Sequence, residues 1–97
     1  MKYEIEVRPN AIFETSEGFE WYESQREGLG YEFLEEVETF YEGLSGNPFT
    51  CSFFEEAVRQ GVLKRFPYCV VYEVFENVVV VYHVFMTSQD PSKKRTK

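Results

Sequence analysis

The residues of this chain that could carry chemistry are cations and tyrosines in its second half. Arg59, Lys64 and Arg65 lie close in sequence to Tyr68 and Tyr72. Fixed guanidinium and ammonium groups stabilise negative charge where it develops, and a tyrosine or a lysine with a shifted pKa can move a proton. These five residues are therefore candidates for stabilising or binding a negatively charged group.

Polar and basic residues near the C-terminus complete the set of candidate target-binding residues. They are Gln89, Lys93, Lys94 and Arg95. If residues 57–65 form a regular strand, Arg59 and Arg65 lie on one side of it and Lys64 on the other, because side chains alternate along a strand. Arg59 with Arg65 is therefore the favoured pair.

The competing interpretation is that these cations are solvated strand ends. Glu55, Glu56 and Glu73 are available as partners, and an exposed ion pair contributes only about 0–1 kcal/mol to stability. The charge balance favours this interpretation, because the formal net charge is −7 and residues 1–92 contain six basic against seventeen acidic residues. An acidic chain repels nucleic acid at long range. A role in binding RNA or DNA therefore requires the basic residues to gather locally.

Length and composition limit the class of protein further. A chain of 97 residues predicts one domain, which we place at 1–92 with a basic tail at 93–97. Cys51, Cys69 and His83 stand apart in the sequence, so we expect free thiols, a packed histidine, no metal and no other cofactor. No apolar run reaches the roughly 18 residues that span a bilayer, and the N-terminus has no apolar signal segment. We therefore expect a cytoplasmic protein with no membrane partner.

Hydrophobic periodicity predicts the elements that must position these residues. Residues 1–8 alternate as a half-buried strand, and the apolar spacing predicts helices over 11–27 and 30–44, separated by a glycine break. Residues 68–75 and 78–85 predict a hairpin whose second strand is central, because it is apolar on both faces. This order predicts an α+β fold, with a helical hairpin on one face of a mostly antiparallel sheet.

Several stretches of the chain resemble the ParE/RelE toxin superfamily, the toxin halves of bacterial type II toxin–antitoxin and plasmid-stabilisation modules. They are EWYESQREGLGYEFL at 20–34, NP at 47–48, LKRFPYCVVYEV at 63–74 and VFMTSQDPSKKR at 84–95. They resemble the ParE-like branch more than the RelE nuclease branch. The resemblance implies an N-terminal strand and a two-helix hairpin packed on a curved, mostly antiparallel sheet of four or five strands. It also implies a cognate antitoxin whose helix, with or without a strand, wraps the toxin.

The resemblance implies two kinds of target. The positions at which this chain departs from the family pattern help to decide between them. RelE-like members cut mRNA on the ribosome without a metal, whereas ParE-like members poison DNA gyrase. The family pattern places basic or polar residues where this chain has Cys69, Met86 and Gln89, which disfavours the usual RNase site. We therefore expect a ParE-like toxin that acts by binding a protein and is not an enzyme. The alternatives are a metal-independent mRNA endoribonuclease with a rewired site, and a degenerate, non-toxic family member.

Two aromatic residues are candidates for antitoxin binding. Trp21 and Tyr22 are of the type that dominates binding hot spots. The competing interpretation is that Tyr22 belongs to the core and Trp21 half-covers the edge of the sheet. We expect the antitoxin to occupy the groove between the helical hairpin and the sheet, where partner helices dock.

Overall fold

The computed structural model describes residues 2–87, in which two helices pack on one face of a five-stranded sheet. The elements are β1 (Glu4–Val7), α1 (Pro9–Gln25), α2 (Leu29–Gly46), β2 (Ser52–Glu55), β3 (Val58–Val62), β4 (Tyr68–Phe75) and β5 (Val78–Met86). The sheet order is β1-β5-β4-β3-β2. β1 runs parallel to β5, and the other neighbouring strands are antiparallel. The predicted α+β fold is confirmed, and β5 lies inside the sheet between β1 and β4, although β4 is the middle strand of the five.

The ends of the helices differ slightly from the predicted ones. α1 begins at Pro9 rather than at residue 11, because proline is favoured at the first helical position, where its missing N–H costs nothing. α1 ends at Gln25, where Arg26 turns to an extended conformation. Gly28 then adopts a left-handed φ of 89°, which glycine tolerates without a steric cost. α2 follows at once, so the two helices form the predicted antiparallel hairpin.

The end of β3 corrects the prediction for the basic residues that follow it. The strand stops at Val62, so Lys64 and Arg65 lie in the loop 63–67 and not on a strand. Pro67 has no N–H to donate to a sheet. The backbone N–H groups of Lys64 and Arg65 bond instead to the carboxylate of Glu36 on α2. We predicted that Arg59 and Arg65 lie on one side of the same strand. Because the strand ends before Arg65, its alternation does not place Arg65 beside Arg59.

The main core lies between the helices and the sheet and is rich in aromatic rings. Tyr22, Phe33, Phe66 and Tyr68 pack together, and the ring centroids of Phe33 and Tyr68 are 4.8 Å apart. Gly30 lets α1 and α2 approach closely, because a Cβ there would lie 2.6 Å from the carbonyl oxygen of Phe19. This packing fixes the hairpin against β4 and β5.

A second cluster lies on the opposite face of the sheet, which we call the open face. Val58, Cys69, Val71 and Phe85 are buried there, with Phe54 and Tyr82 packed against them. These side chains alternate along β4 with the core-facing ones, as the strand geometry requires.

Candidate functional site

The loop 63–67 is held to α2 by carboxylates. Oε2 of Glu36 accepts the backbone N–H of Lys64 at 2.5 Å and that of Arg65 at 2.8 Å. The Arg65 guanidinium donates to Oε1 of Glu32 at 2.7 Å, and Arg26 reaches the same carboxylate at 3.5 Å. The positive charge of Arg65 is therefore balanced inside the chain.

The ion pair between Arg65 and Glu32 shifts the pKa of both groups. The hydrogen bond from Arg65, with its charge and that of Arg26, lowers the pKa of Glu32 below its ordinary value of 4.5. The same hydrogen bond raises the pKa of Arg65. Both side chains are partly exposed, at 59% for Arg65 and 36% for Glu32, so solvent weakens the attraction.

Arg59 binds residues at the edge of the sheet that β2 forms. Its Nη1 donates to the carbonyl oxygen of Cys51 at 2.6 Å and to that of Phe49 at 3.3 Å. Its guanidinium lies over the ring of Phe53, 4.0 Å from the centroid, in cation–π geometry. Arg59 thus fastens residues 49–53 to β3. Arg59 and Arg65 share no partner in the part of the chain that the structure describes.

Tyr68 and Tyr72 are core residues. Tyr72 is fully buried, and its hydroxyl donates to the carbonyl oxygen of Pro48 at 2.8 Å. Burial raises the pKa of Tyr72 and that of Tyr68. Tyr68 is 7% exposed and packs on Phe33. Neither tyrosine therefore has the accessible hydroxyl of low pKa that a proton-transfer group needs.

The positions where the resemblance implies basic or polar groups are apolar within the described residues. Cys69 is buried on the open face, its thiol donates to Oε1 of Gln60 at 3.2 Å, and burial raises its pKa to about 11. Met86 packs against the main core. The remaining candidates lie outside the described residues: Gln89, Lys93, Lys94 and Arg95.

The two aromatic candidates for antitoxin binding separate in the structure. Tyr22 is 9% exposed and belongs to the main core, as the competing interpretation held. Trp21 is 52% exposed and borders a cavity of about 400 Å³ between α1 and the end of β5. Of these two residues, only Trp21 is therefore exposed enough to contact a partner.

His83 is a packed residue, as the sequence indicated. Its Nδ1 lies 3.3 Å from Oε1 of Glu14, and the same oxygen accepts the backbone N–H of Val84 at 2.9 Å. β5 carries a bulge at this point, where its register with β4 shifts. Glu14 thus joins α1 to the irregular part of β5, a role that nothing in its sequence context indicated.

The groove that we expected between the hairpin and the sheet is present. It has a volume of about 450 Å³ and lies between α2 and the end of β3. Phe40, Val62 and Leu63 supply its apolar lining, and Glu32 and Glu36 lie at its edge. Sequence reasoning assigned these glutamates to a solvated helix face and so missed that they hold the loop 63–67. Their spacing of four residues on α2 was the available signal, since such residues share one side of a helix.

The described residues contain neither a metal-binding cluster nor a membrane-spanning helix. No group of three or more His, Cys, Asp or Glu side chains within residues 2–87 is placed to hold a metal ion. Neither α1 nor α2 has the length and apolarity needed to cross a membrane.

Comparison with known proteins places the fold. No protein-family model matches the chain, and no curated protein matches it by sequence. Among solved structures it is similar to a chain of the chromosomal ParDE TA system from P. aeruginosa, with a TM-score of 0.78, 10% identity, and coverage of 90% of this chain and 98% of that one. It is also similar to a chain of the toxin–antitoxin complex RelBE2 from Mycobacterium tuberculosis, with a TM-score of 0.65, 14% identity, and coverage of 89% and 99%.

The isolated E. coli RelE toxin gives a third match, with a TM-score of 0.67, 16% identity, and coverage of 96% of this chain and 93% of the toxin. At these identities the likeness establishes the fold. The chain has the fold of the ParE/RelE toxins, which confirms the resemblance at that level.

Proposed function

We propose that this chain is the toxin component of a bacterial type II toxin–antitoxin module, is ParE-like, and acts by binding a protein target such as DNA gyrase. A cognate antitoxin neutralises it, and both partners meet it in the cytoplasm. The fold shared with the ParDE and RelBE2 chains supports the module. The proposal that the target is a protein and not RNA rests on the geometry of the candidate site.

The observation that carries this choice is that three of the candidate groups, Arg59, Arg65 and Tyr72, already have partners within the chain. Arg59 bonds two carbonyl oxygens at the edge of the sheet, Arg65 bonds Glu32, and the Tyr72 hydroxyl bonds Pro48. RNA cleavage needs cations and a proton-transfer group that converge on one phosphate. On the open face, Cys69 is buried with Val58, Val71 and Phe85, and its thiol donates to Gln60. A protein target makes no such demand.

The first experiment is tightly controlled induction of the chain alone in a bacterial host, with growth as the readout. We expect growth to stop and to recover when the neighbouring gene is co-expressed. The matched control is Phe33→Asp, which places a charge in the buried core and unfolds the chain. Unimpaired growth with soluble wild-type chain would contradict the proposal and favour a degenerate, non-toxic member.

A second measurement separates the two kinds of target. Purified chain is added to a DNA gyrase supercoiling assay and, separately, to a translating ribosome extract whose mRNA ends are mapped. We expect inhibition of supercoiling and intact mRNA. Cleaved mRNA that becomes intact in the Arg59→Ala variant, with gyrase unaffected, would establish the alternative RelE-like endoribonuclease.

A further inference from the structure

The solvent side of the helical hairpin carries a groove, which we call the outer hairpin groove. It has a volume of about 500 Å³ and runs between α1 and α2. Its lining is mainly apolar: Val7, Ile12, Thr15, Ser16, Phe19, Leu34, Val37, Glu38 and Tyr41. A shallower depression lined by Tyr31, Glu32 and Glu35 adjoins it and shares Leu34 and Glu38 with it. The apolar groove therefore opens at one end into a depression lined mainly by glutamates.

Parts of this groove are exposed and make no polar contact with the rest of the described chain. Ile12 is 56% exposed. Glu38 is exposed and makes no hydrogen bond or ion pair with any described residue. Glu35, in the adjoining depression, is exposed too, and its charge contributes to the raised pKa of Arg65. The Tyr41 hydroxyl is buried beside Thr15, whose own hydroxyl donates to the carbonyl oxygen of Ala11 at 2.8 Å.

The groove between α2 and β3 has a different charge balance. It is lined by the cations Lys64 and Arg65 as well as by Glu32, Glu35 and Glu36. Glu32 and Glu36 are bonded to Arg65 and to the backbone of the loop 63–67. No Lys or Arg lines the outer hairpin groove, so Glu38 has no basic neighbour among the residues that line it.

Charge decides what kind of partner fits. Residues 11–46 contain ten glutamates and Arg26 as their one basic residue, and no Lys or Arg lines either part of the groove. An anionic partner would be repelled, whereas a cationic one gains contacts with Glu35 and Glu38. Ile12 and Phe19 are seven residues apart on α1, which is about 10 Å or two helical turns. That length matches the apolar stripe of a short amphipathic helix.

We propose that the outer hairpin groove binds a cationic amphipathic helix of a partner protein, with leucine-like side chains between Ile12 and Leu34 and lysine or arginine near Glu35 and Glu38. This inference goes beyond the proposed function, because it concerns a surface and holds whether or not the chain is toxic. It also differs from the groove in which we first expected the antitoxin.

The test uses the full chain and a designed peptide of about 18 residues with leucine at i, i+3, i+4 and i+7 and lysine elsewhere. Binding is measured by calorimetry at physiological salt, and the site is mapped by amide and methyl chemical shifts. A scrambled peptide of the same composition and a leucine–glutamate version are the comparison probes. We expect binding of the amphipathic cationic peptide alone, with shifts at Ile12, Phe19 and Leu34.

Paired variants make the result specific to the groove. Ile12→Ser should weaken binding by about tenfold, whereas Phe13→Ser, which changes an exposed residue outside the groove, should not. Glu35→Gln with Glu38→Gln should weaken it by about three- to tenfold. Glu4→Gln with Glu27→Gln removes the same charge elsewhere and is the matched control.

Three results would overturn the inference. Equal binding of the scrambled peptide would reduce the effect to net charge. Shifts that map to the groove between α2 and β3 would place the docking surface there. A dimer in the free protein that dissociates with Ile12→Ser would assign the groove to a second copy of this chain.

Discussion

The carboxylate of Glu36 accepts the backbone N–H of Arg65 at 2.8 Å, and the same oxygen accepts the preceding backbone N–H at 2.5 Å. A carboxylate that takes two N–H groups makes charge-assisted hydrogen bonds, which are stronger than neutral ones. We expect Glu36→Ala to lower the free energy of unfolding by about 1–3 kcal/mol, because two donors lose their acceptor. Urea unfolding measures this change.

Glu35→Ala is the control for that variant, because Glu35 is exposed on the same helix and makes no hydrogen bond. We expect it to stay within about 0.5 kcal/mol of wild type. Hydrogen exchange at the amides of Lys64 and Arg65 should accelerate in Glu36→Ala alone. Unchanged exchange there would show that the loop is held by other contacts.

The ion pair of Glu32 with Arg65 predicts a titration. Its folded pKa lies below the ordinary 4.5, because Arg65 favours the ionised carboxylate. The stabilisation it brings is therefore present above 4.5 and is lost as the pH falls through the folded pKa. Carboxyl chemical shifts should give a midpoint for Glu32 below 4.5, and Arg65→Gln should move the midpoint upward. A midpoint that Arg65→Gln leaves unchanged would contradict the ion pair.

Close contact of the two helices at Gly30 predicts opposite effects of alanine at two glycines of α2. A Cβ at Gly30 would lie 2.6 Å from the carbonyl oxygen of Phe19, whereas one at Gly43 would meet nothing within 4 Å. Gly30→Ala should lower the free energy of unfolding by about 1–3 kcal/mol through overpacking. Gly43→Ala should raise it by roughly 0.5–1 kcal/mol, because alanine is the better helix former. Thermal unfolding of both variants checks the sign, and equal effects would refute the close approach.

The sequence predicts the elements better than the site because patterns along a chain report on local contacts. The apolar spacing of α2 and the valines of β5 each indicate a structure on their own. β3 ends where it does because Glu36, on α2 and 28 residues before Lys64, captures two N–H groups, and no local pattern records a contact at that distance. The parallel pairing of β1 with β5 likewise joins residues that are far apart in the sequence. The commitment of Arg59 to the carbonyl of Cys51 depends on β2 folding back onto β3.

We expect the thiol of Cys69 to be unreactive. Measuring its reactivity tests whether the open face is chemically inert. Burial raises its pKa to about 11, so little thiolate exists near neutral pH, and the thiolate is the reactive form. In a Cys51→Ser variant, which leaves Cys69 as the sole thiol, a disulfide reagent at pH 8 should react at least about tenfold more slowly with folded protein than with protein in denaturant. The folded rate should rise as the pH is raised toward 10, because the thiolate fraction grows.

The Cys69→Ser variant is the counterpart, since it leaves the half-buried Cys51. Comparing the two variants separates slow reaction of one buried thiol from slow reaction of the whole protein. Rapid labelling of folded Cys69 at pH 8 would mean that the open face holds an activated thiolate. Cys69, which stands where the resemblance implies a basic residue, would then have to be treated as a reactive centre, and the proposal of a purely protein-binding toxin would lose one of its supports.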